Sequence, residues 1–118
     1  MLPDDRNLGL LWDMLNAAHE IVELTKDVTY QQFESQRALR FAVERLIMII
    51  GEAAKRVSDG YKDSHPEIPW KAMIGQRNVL AHEYGEILIE RIWSVVVKRI
   101  PELIRLLKPL IKPEDDNQ

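Results

Sequence analysis

Residues 75–85 read Gly-Gln-Arg-Asn-Val-Leu-Ala-His-Glu-Tyr-Gly. Within eight positions they gather a guanidinium (Arg77), a carboxamide (Asn78), an imidazole (His82), a carboxylate (Glu83) and a phenol (Tyr84). Arginine beside histidine suits phosphodiester chemistry. The guanidinium offers a planar fork of donors to phosphate oxygens and stays charged. The imidazole titrates near neutral pH and can take or return a proton. RNA brings its own nucleophile, the 2′-hydroxyl, so one base and one cation could promote its attack without a metal. On a helix, Asn78 and His82 share a face, and Arg77 and Tyr84 lie almost in line. Arg77 and His82 point about 140° apart at 3.6 residues per turn. They converge only through the length of arginine, through distortion near Gly85, or across a boundary between two subunits. The same residues also suit an ordinary helix end, with the arginine in an ion pair and the histidine near the C-terminal dipole. Residue chemistry alone leaves both readings open.

The elements that must position these groups read as helices almost throughout. In the first segment Leu8, Leu11, Leu15, Ala18 and Val22 form one stripe, and Leu10, Met14, Ala17, Ile21 and Leu24 a second beside it. Together they predict a wide apolar face that packs against two neighbours. Asp4 or Asp5 is expected to cap its start, and residues 25–29 to end it. A long helix is expected over 35–58, with the stripe Leu39, Val43, Leu46, Ile50, Ala53 and Val57. Residues 46–50 are apolar all round one turn, which marks either the centre of the core or a surface covered by a second subunit.

Asp59-Gly60 is expected to end that helix, and the stretch to Pro69 to be a loop. Pro69 suits the first position of the next helix, and Gly85 its stop. Gly75, inside that helix, suggests either close approach of another backbone or a tolerated defect. The last helical segment, 86–107, carries Ile89, Ile92, Val96, Ile100, Leu103 and Leu107, with a kink or break expected at Pro101. The expected fold is all-α, an up-and-down antiparallel bundle of four main helices with a kinked last helix. Residues 1–112 form the expected domain and 113–118 a frayed acidic tail.

At 118 residues the chain is one domain by length, and 46% hydrophobic content is enough for one buried core. No apolar run approaches the ~18 residues of a membrane span, the first residues lack the pattern of a secretion signal, and there is no cysteine. These features predict a cytoplasmic protein with no membrane partner. The net charge of −3 excludes a bulk electrostatic nucleic-acid binder. The charge is uneven, however: residues 1–34 carry a net −5, residues 35–84 a net +2, and the last helical stretch without the acidic tail a net +3. Any RNA-binding face is therefore local and belongs to the later helices.

Other residues carry weaker signals. His19 with Glu23, and His65, lack neighbours at ligand spacing, so no metal site is expected. Trp12, Trp70 and Trp93 read as core or interface packing. There is no glycine-rich phosphate loop.

The spacing Arg77-x4-His82-x-Tyr84 resembles the RX4HXY motif of HepT toxins in the HEPN superfamily. The context extends the likeness: Ile-Gly-Glu-Ala-Ala-Lys at 50–55, Pro-Glu-Ile-Pro-Trp at 66–70, Arg-Asn-Val-Leu-Ala-His-Glu-Tyr at 77–84 and Ile-Pro-Glu-Leu at 100–103 are similar to that family, in order, over nearly the whole chain. Asn78 fits its preference for a polar residue after the arginine.

The resemblance implies a metal-independent endoribonuclease toxin, with no cofactor, that acts as a homodimer with both motifs facing a shared cleft. It implies Arg77, His82 and Asn78 as catalytic residues. It also implies a minimal nucleotidyltransferase antitoxin, MntA-like, that silences the toxin by transferring AMP from ATP to Tyr84. Glu52, in the matching Gly-Glu-Ala stretch, and Glu83 are candidate supporting residues, although an ordinary surface or interhelical ion pair explains Glu52 as well. Two other readings compete: a non-catalytic HEPN module that binds a nucleotide or a partner protein, and a helical dimerisation scaffold without a site.

Overall fold

The computed structural model describes residues 3–82 and 85–111, with side chains described for 6–76, 80 and 88–111. Every regular element among the described residues is helical. In chain order they are α1 (Pro3–Thr25), α2 (Tyr30–Ser35), α3 (Arg37–Arg56), α4 (Asp59–Ser64), α5 (Trp70–His82), α6 (Gly85–Ser94), a π segment (Val95–Arg99) and α7 (Ile100–Ile111). The four long stretches expected from periodicity are α1, α3, α5 and the run from α6 through α7. Two short helices, α2 and α4, add to them.

The core is built on α3, which packs against α1 on one side and α5 on the other, while α7 closes over α1. Both stripes of α1 point inward: Leu10, Leu11, Met14, Leu15, Ala17, Ala18 and Ile21 are all buried. Val22 and Leu24, at the end of those stripes, are exposed. Trp12 is 46% exposed, so of the two places expected for that ring, core or interface, it does not take the core. It lies on the outer stripe of α1 with the exposed Asn16, His19 and Glu23. On α3, Val43, Leu46, Ile47, Ile50, Ala53 and Ala54 are buried, and Met48 and Ile49 are half-buried. The apolar turn at 46–50 is therefore the middle of the core, and its composition needs no second chain to explain it. Each fully buried Leu or Ile side chain contributes about 1.5–3 kcal/mol.

The ends of the elements follow from local chemistry that differs in places from the periodic reading. α1 is described from Pro3, and Asp4 and Asp5 lie inside it with helical backbone rather than at its cap. α1 ends at Thr25, whose hydroxyl donates back to the Ile21 carbonyl at 2.7 Å. Asp27 then takes a left-handed conformation (φ 60°), which a short polar side chain tolerates.

Thr29 caps α2 in a reciprocal box: the Gln32 N–H donates to Thr29 Oγ1 at 3.1 Å, and the Thr29 N–H donates to Gln32 Oε1 at 2.9 Å. The long helix expected over 35–58 is shorter at both ends, because Ser35 belongs to α2 and Ser58 caps α4. Residues 59–64, expected in a loop, are helical: the Tyr61 N–H donates to Ser58 Oγ at 3.3 Å. The buried Asn7 ties this cap to α1, donating through Nδ2 to Ser58 Oγ at 3.0 Å and accepting the Ser58 N–H at 3.1 Å.

Pro69 stands one residue before α5, and its carbonyl accepts the first helical bond, from the Met73 N–H. Trp70 is buried with its indole N–H donating to the His65 carbonyl at 3.0 Å. A Cβ built on Gly75 meets nothing within 4 Å among the described residues. Gly85, expected to stop a helix, has helical backbone and belongs to α6.

Pro101 does not break the last helix. The irregularity falls just before it, where the Ile100 N–H donates to the Val95 carbonyl across five residues. A wider turn at this point takes up the missing donor of Pro101 and its clash with the turn before it. The chain then continues helically to Ile111, through Pro109. No helix among the described residues is long and apolar enough to cross a membrane.

Candidate active site

Three residues of the Arg-x4-His-x-Tyr stretch, Arg77, Asn78 and His82, lie on α5. Their backbones are described and their side chains lie outside the described residues, as do Glu83 and Tyr84 altogether. The register of α5 keeps Asn78 and His82 one turn apart on a common side, and sets the Arg77 position about 140° from that of His82. Glu52 is exposed on α3, the helix against which α5 packs.

α5 is seated by Trp70 and Met73, which are buried, and by Ile74 and Leu80, which are half-buried. Gln76, adjacent to Arg77, is half-buried. α6 is held from below by α2. Its Trp93 packs against Phe33 with ring centroids 5.1 Å apart and against Tyr30 at 6.1 Å. Phe33 is fully buried, so this aromatic cluster fixes α6 to the bundle on the side that carries Trp93.

Between these supports lies a groove of about 380 Å³. Gln76 and Leu80 of α5 form one wall, Ile47 of α3 contributes to the floor, and Arg91, Lys98 and Arg99 form the other wall. Ile92 and Val95 extend the apolar surface inside it. The three cations are exposed, and among the described residues none of them forms an ion pair. The groove therefore combines an apolar floor with a positive rim, and it begins one residue from Arg77.

Gln76, Arg91, Lys98 and Arg99 were not singled out by the sequence. The signal was present in two parts, a net charge of +3 on the last helical stretch and cations at 91, 98 and 99. Steps of seven and eight residues return to one helical face. What joins them to α5 is tertiary packing, which spacing does not report.

Elsewhere, the His65 ring lies 3.3 Å from Glu67 Oε2 and stacks on Tyr61 at 4.3 Å. Glu67 is held below the usual carboxylate range, first by a hydrogen bond from its own backbone and also by His65. Glu44 is pushed up by burial, partly offset by the charge of Arg40. Among the described residues no group of three or more carboxylate or histidine side chains is placed to hold a metal ion.

A helical bundle with this connectivity is an all-α, HEPN-like fold. The chain belongs to the ribonuclease HepT-like family, whose model matches residues 14–110. A Methanocaldococcus jannaschii protein named "Putative RNase" is 37% identical over 95 residues, covering 80% of this chain and 87% of that one. The "Probable ribonuclease HepT" of Thermococcus cleftensis is 37% identical over 93 residues, covering 79% and 84%. A "Putative RNase" of Caldanaerobacter subterraneus is 32% identical over 101 residues, covering 86% and 90%. No solved structure gives a significant match.

Proposed function

We propose that this chain is a metal-independent endoribonuclease and the toxin of a HEPN/MNT toxin–antitoxin pair, with Arg77 and His82 as its catalytic residues. The observation that carries the reading is the complete Arg77-x4-His82-x-Tyr84 motif in a chain that matches ribonuclease HepT-like proteins over residues 14–110. The cationic groove that starts at Gln76 supports it, because phosphodiester substrates need local positive charge on a protein of net charge −3.

In this mechanism His82 accepts the proton of the 2′-hydroxyl as that oxygen attacks the adjacent phosphorus. Arg77 donates to the non-bridging oxygens as negative charge grows on them. The bond to the 5′-oxygen breaks, the leaving oxygen gains a proton, and the products carry a 2′,3′-cyclic phosphate and a 5′-hydroxyl. Asn78 is assigned to orient the phosphate or the imidazole, and Glu83 and Glu52 are candidate supports. The 140° offset between Arg77 and His82 is the reason to assign the site to a homodimer, in which each helix end completes the cleft of the other.

Tyr84 is the assigned control point. A nucleotidyltransferase partner transfers AMP from ATP to the phenolic oxygen, and pyrophosphate leaves. The added phosphodiester is anionic and bulky, and beside Arg77 it competes with substrate phosphate.

The deciding experiment is cleavage of single-stranded RNA by purified protein in EDTA. Cleavage persists in the chelator, and His82→Ala and Arg77→Ala each lower it by about 10²–10⁴-fold with an unchanged melting temperature. Restoration of activity only by an added divalent metal defeats the mechanism, and undiminished cleavage by both variants defeats the site. With ATP and the cognate transferase, intact mass increases by AMP in the wild type and not in Tyr84→Phe. A monomer at the 13.8 kDa chain mass in light scattering defeats the shared cleft.

A further inference from the structure

We propose that the groove between α5 and the α6–π segment is a docking subsite for single-stranded RNA, in which Arg91, Lys98 and Arg99 bind consecutive backbone phosphates beside the cleavage site. The inference rests on the ribonuclease reading and deepens it by assigning substrate-positioning residues outside the motif.

Three features carry it. The first is charge: three exposed cations line one wall of a groove of about 380 Å³, and none is paired among the described residues. The second is spacing. Arg91 to Arg99 spans eight residues, about 12 Å at 1.5 Å per residue. A single phosphate can satisfy only part of such a row, whereas consecutive phosphates of a strand follow it. The third is the π segment. Its five-residue hydrogen bond, Ile100 N–H to the Val95 carbonyl, widens the turn that carries Lys98 and Arg99. The turn is held in place by Trp93, packed on Phe33 and Tyr30, on the side away from the groove. π turns recur at functional sites because the extra residue re-aims the side chains that follow.

The chemistry of the lining also discriminates between polymers. Ile47, Ile92 and Val95 offer an apolar floor on which an unstacked base can lie. A paired helix buries its bases, so this floor favours a single strand. Phosphate contacts of this kind set the register of a strand without reading its sequence. Arg91, Lys98 and Arg99 are therefore positioning residues, and they act on binding more than on the chemical step.

The test uses the intact protein and a fluorescent RNA 2′-O-methylated throughout, which cannot be cut because the nucleophile is blocked. Anisotropy titrations across a salt series give the affinity and its salt slope. In the Lys98→Ala/Arg99→Ala double variant the affinity falls about tenfold, and the slope of log K against log salt falls by about 0.7 for each lost contact. On cleavable RNA the double variant raises KM in proportion and leaves kcat within about twofold, the pattern of lost uniform binding. Arg91→Gln gives a smaller loss of the same kind, Lys98→Arg retains wild-type binding, and Arg105→Ala, on an exposed cation 3.8 Å from Glu102, changes neither quantity. Should the double variant melt early, the single variants Arg91→Gln and Lys98→Gln carry the same test.

Wild-type affinity and slope in the cation variants overturn the proposal. So does AMP binding with the same dependence on Lys98 and Arg99, which makes the groove a mononucleotide pocket. The two levels of inference separate cleanly. His82-dependent cleavage with normal binding in the cation variants removes the groove and keeps the ribonuclease. Absent cleavage with cation-dependent binding of the RNA removes the ribonuclease and keeps the groove.

Discussion

The two sides of α3 are built differently. Toward α1, over which α7 closes, the contact is apolar and closed: Met14, Ala18, Ile21, Val43, Ala54 and Leu107 are fully buried. Toward α5 and α6 lie the half-buried Ile74, Gln76 and Leu80 and a groove rimmed by cations. The contrast separates two tasks. The first side supplies stability through area removed from water. The second leaves room and charge for a ligand, and among the described residues it is seated by Trp70 and Met73 of α5 and Trp93 of α6.

Substitutions on the closed side should therefore move stability and leave the groove's chemistry alone. The largest effect is expected at Leu107, which is fully buried. Leu107→Ala should cost about 2–5 kcal/mol in denaturant unfolding, because it leaves a cavity in a packed interior. RNA affinity of the fraction that remains folded should be unchanged. A loss of affinity without a loss of stability would erase the distinction between the two sides.

A smaller effect is expected at the junction of α1 with α4. Asn7→Ala removes two hydrogen bonds to Ser58 and should cost about 1–3 kcal/mol. Ser58→Ala should cost about 0.5–2 kcal/mol as a lost cap. Because the two residues bond to each other, the double variant should cost less than the sum of the singles. Strict additivity in a double-mutant cycle would mean that the clamp is not a unit.

The smallest effect sharpens the picture of α3 itself. Burial raises the pKa of Glu44, so its ionised form is disfavoured in the folded chain. A carboxyl with a raised folded pKa contributes stability below its unfolded pKa and loses it as pH rises through the folded one. Glu44→Gln should therefore stabilise the protein slightly at pH 7, by under about 0.5 kcal/mol after allowing for solvent screening. The gain should vanish as pH falls below the ordinary glutamate range. A gain that grew toward acid pH would contradict the assigned cause.

Much of this was legible beforehand because helices advertise their buried faces by period. The double stripe of α1 and the stripes of α3 and of the last helical run each reach the core as spacing predicts, with exceptions only at stripe ends. The short helices were missed because a six-residue helix holds too few turns to show a period. Their signals were caps, Thr29 with Gln32 for α2 and Ser58 for α4, which a search for apolar spacing passes over. The Arg-x4-His-x-Tyr spacing was readable as a string, and the chain as a whole is 37% identical to each of two relatives over most of both chains.

By itself the sequence determined the all-α class, the inward faces, the family and the identity of the groups at 77, 82 and 84, because these depend on residue type and separation along one chain. Only the tertiary structure decided that the turn at 46–50 is core and that Trp12 is outside. It alone turned the disturbance at Pro101 into a π segment, and it alone brought Arg91, Lys98 and Arg99 opposite Gln76 and Leu80 across one groove. These are matters of which helix packs on which and through what angle. They are fixed by the sum of many weak contacts between distant segments, and no local spacing encodes that sum.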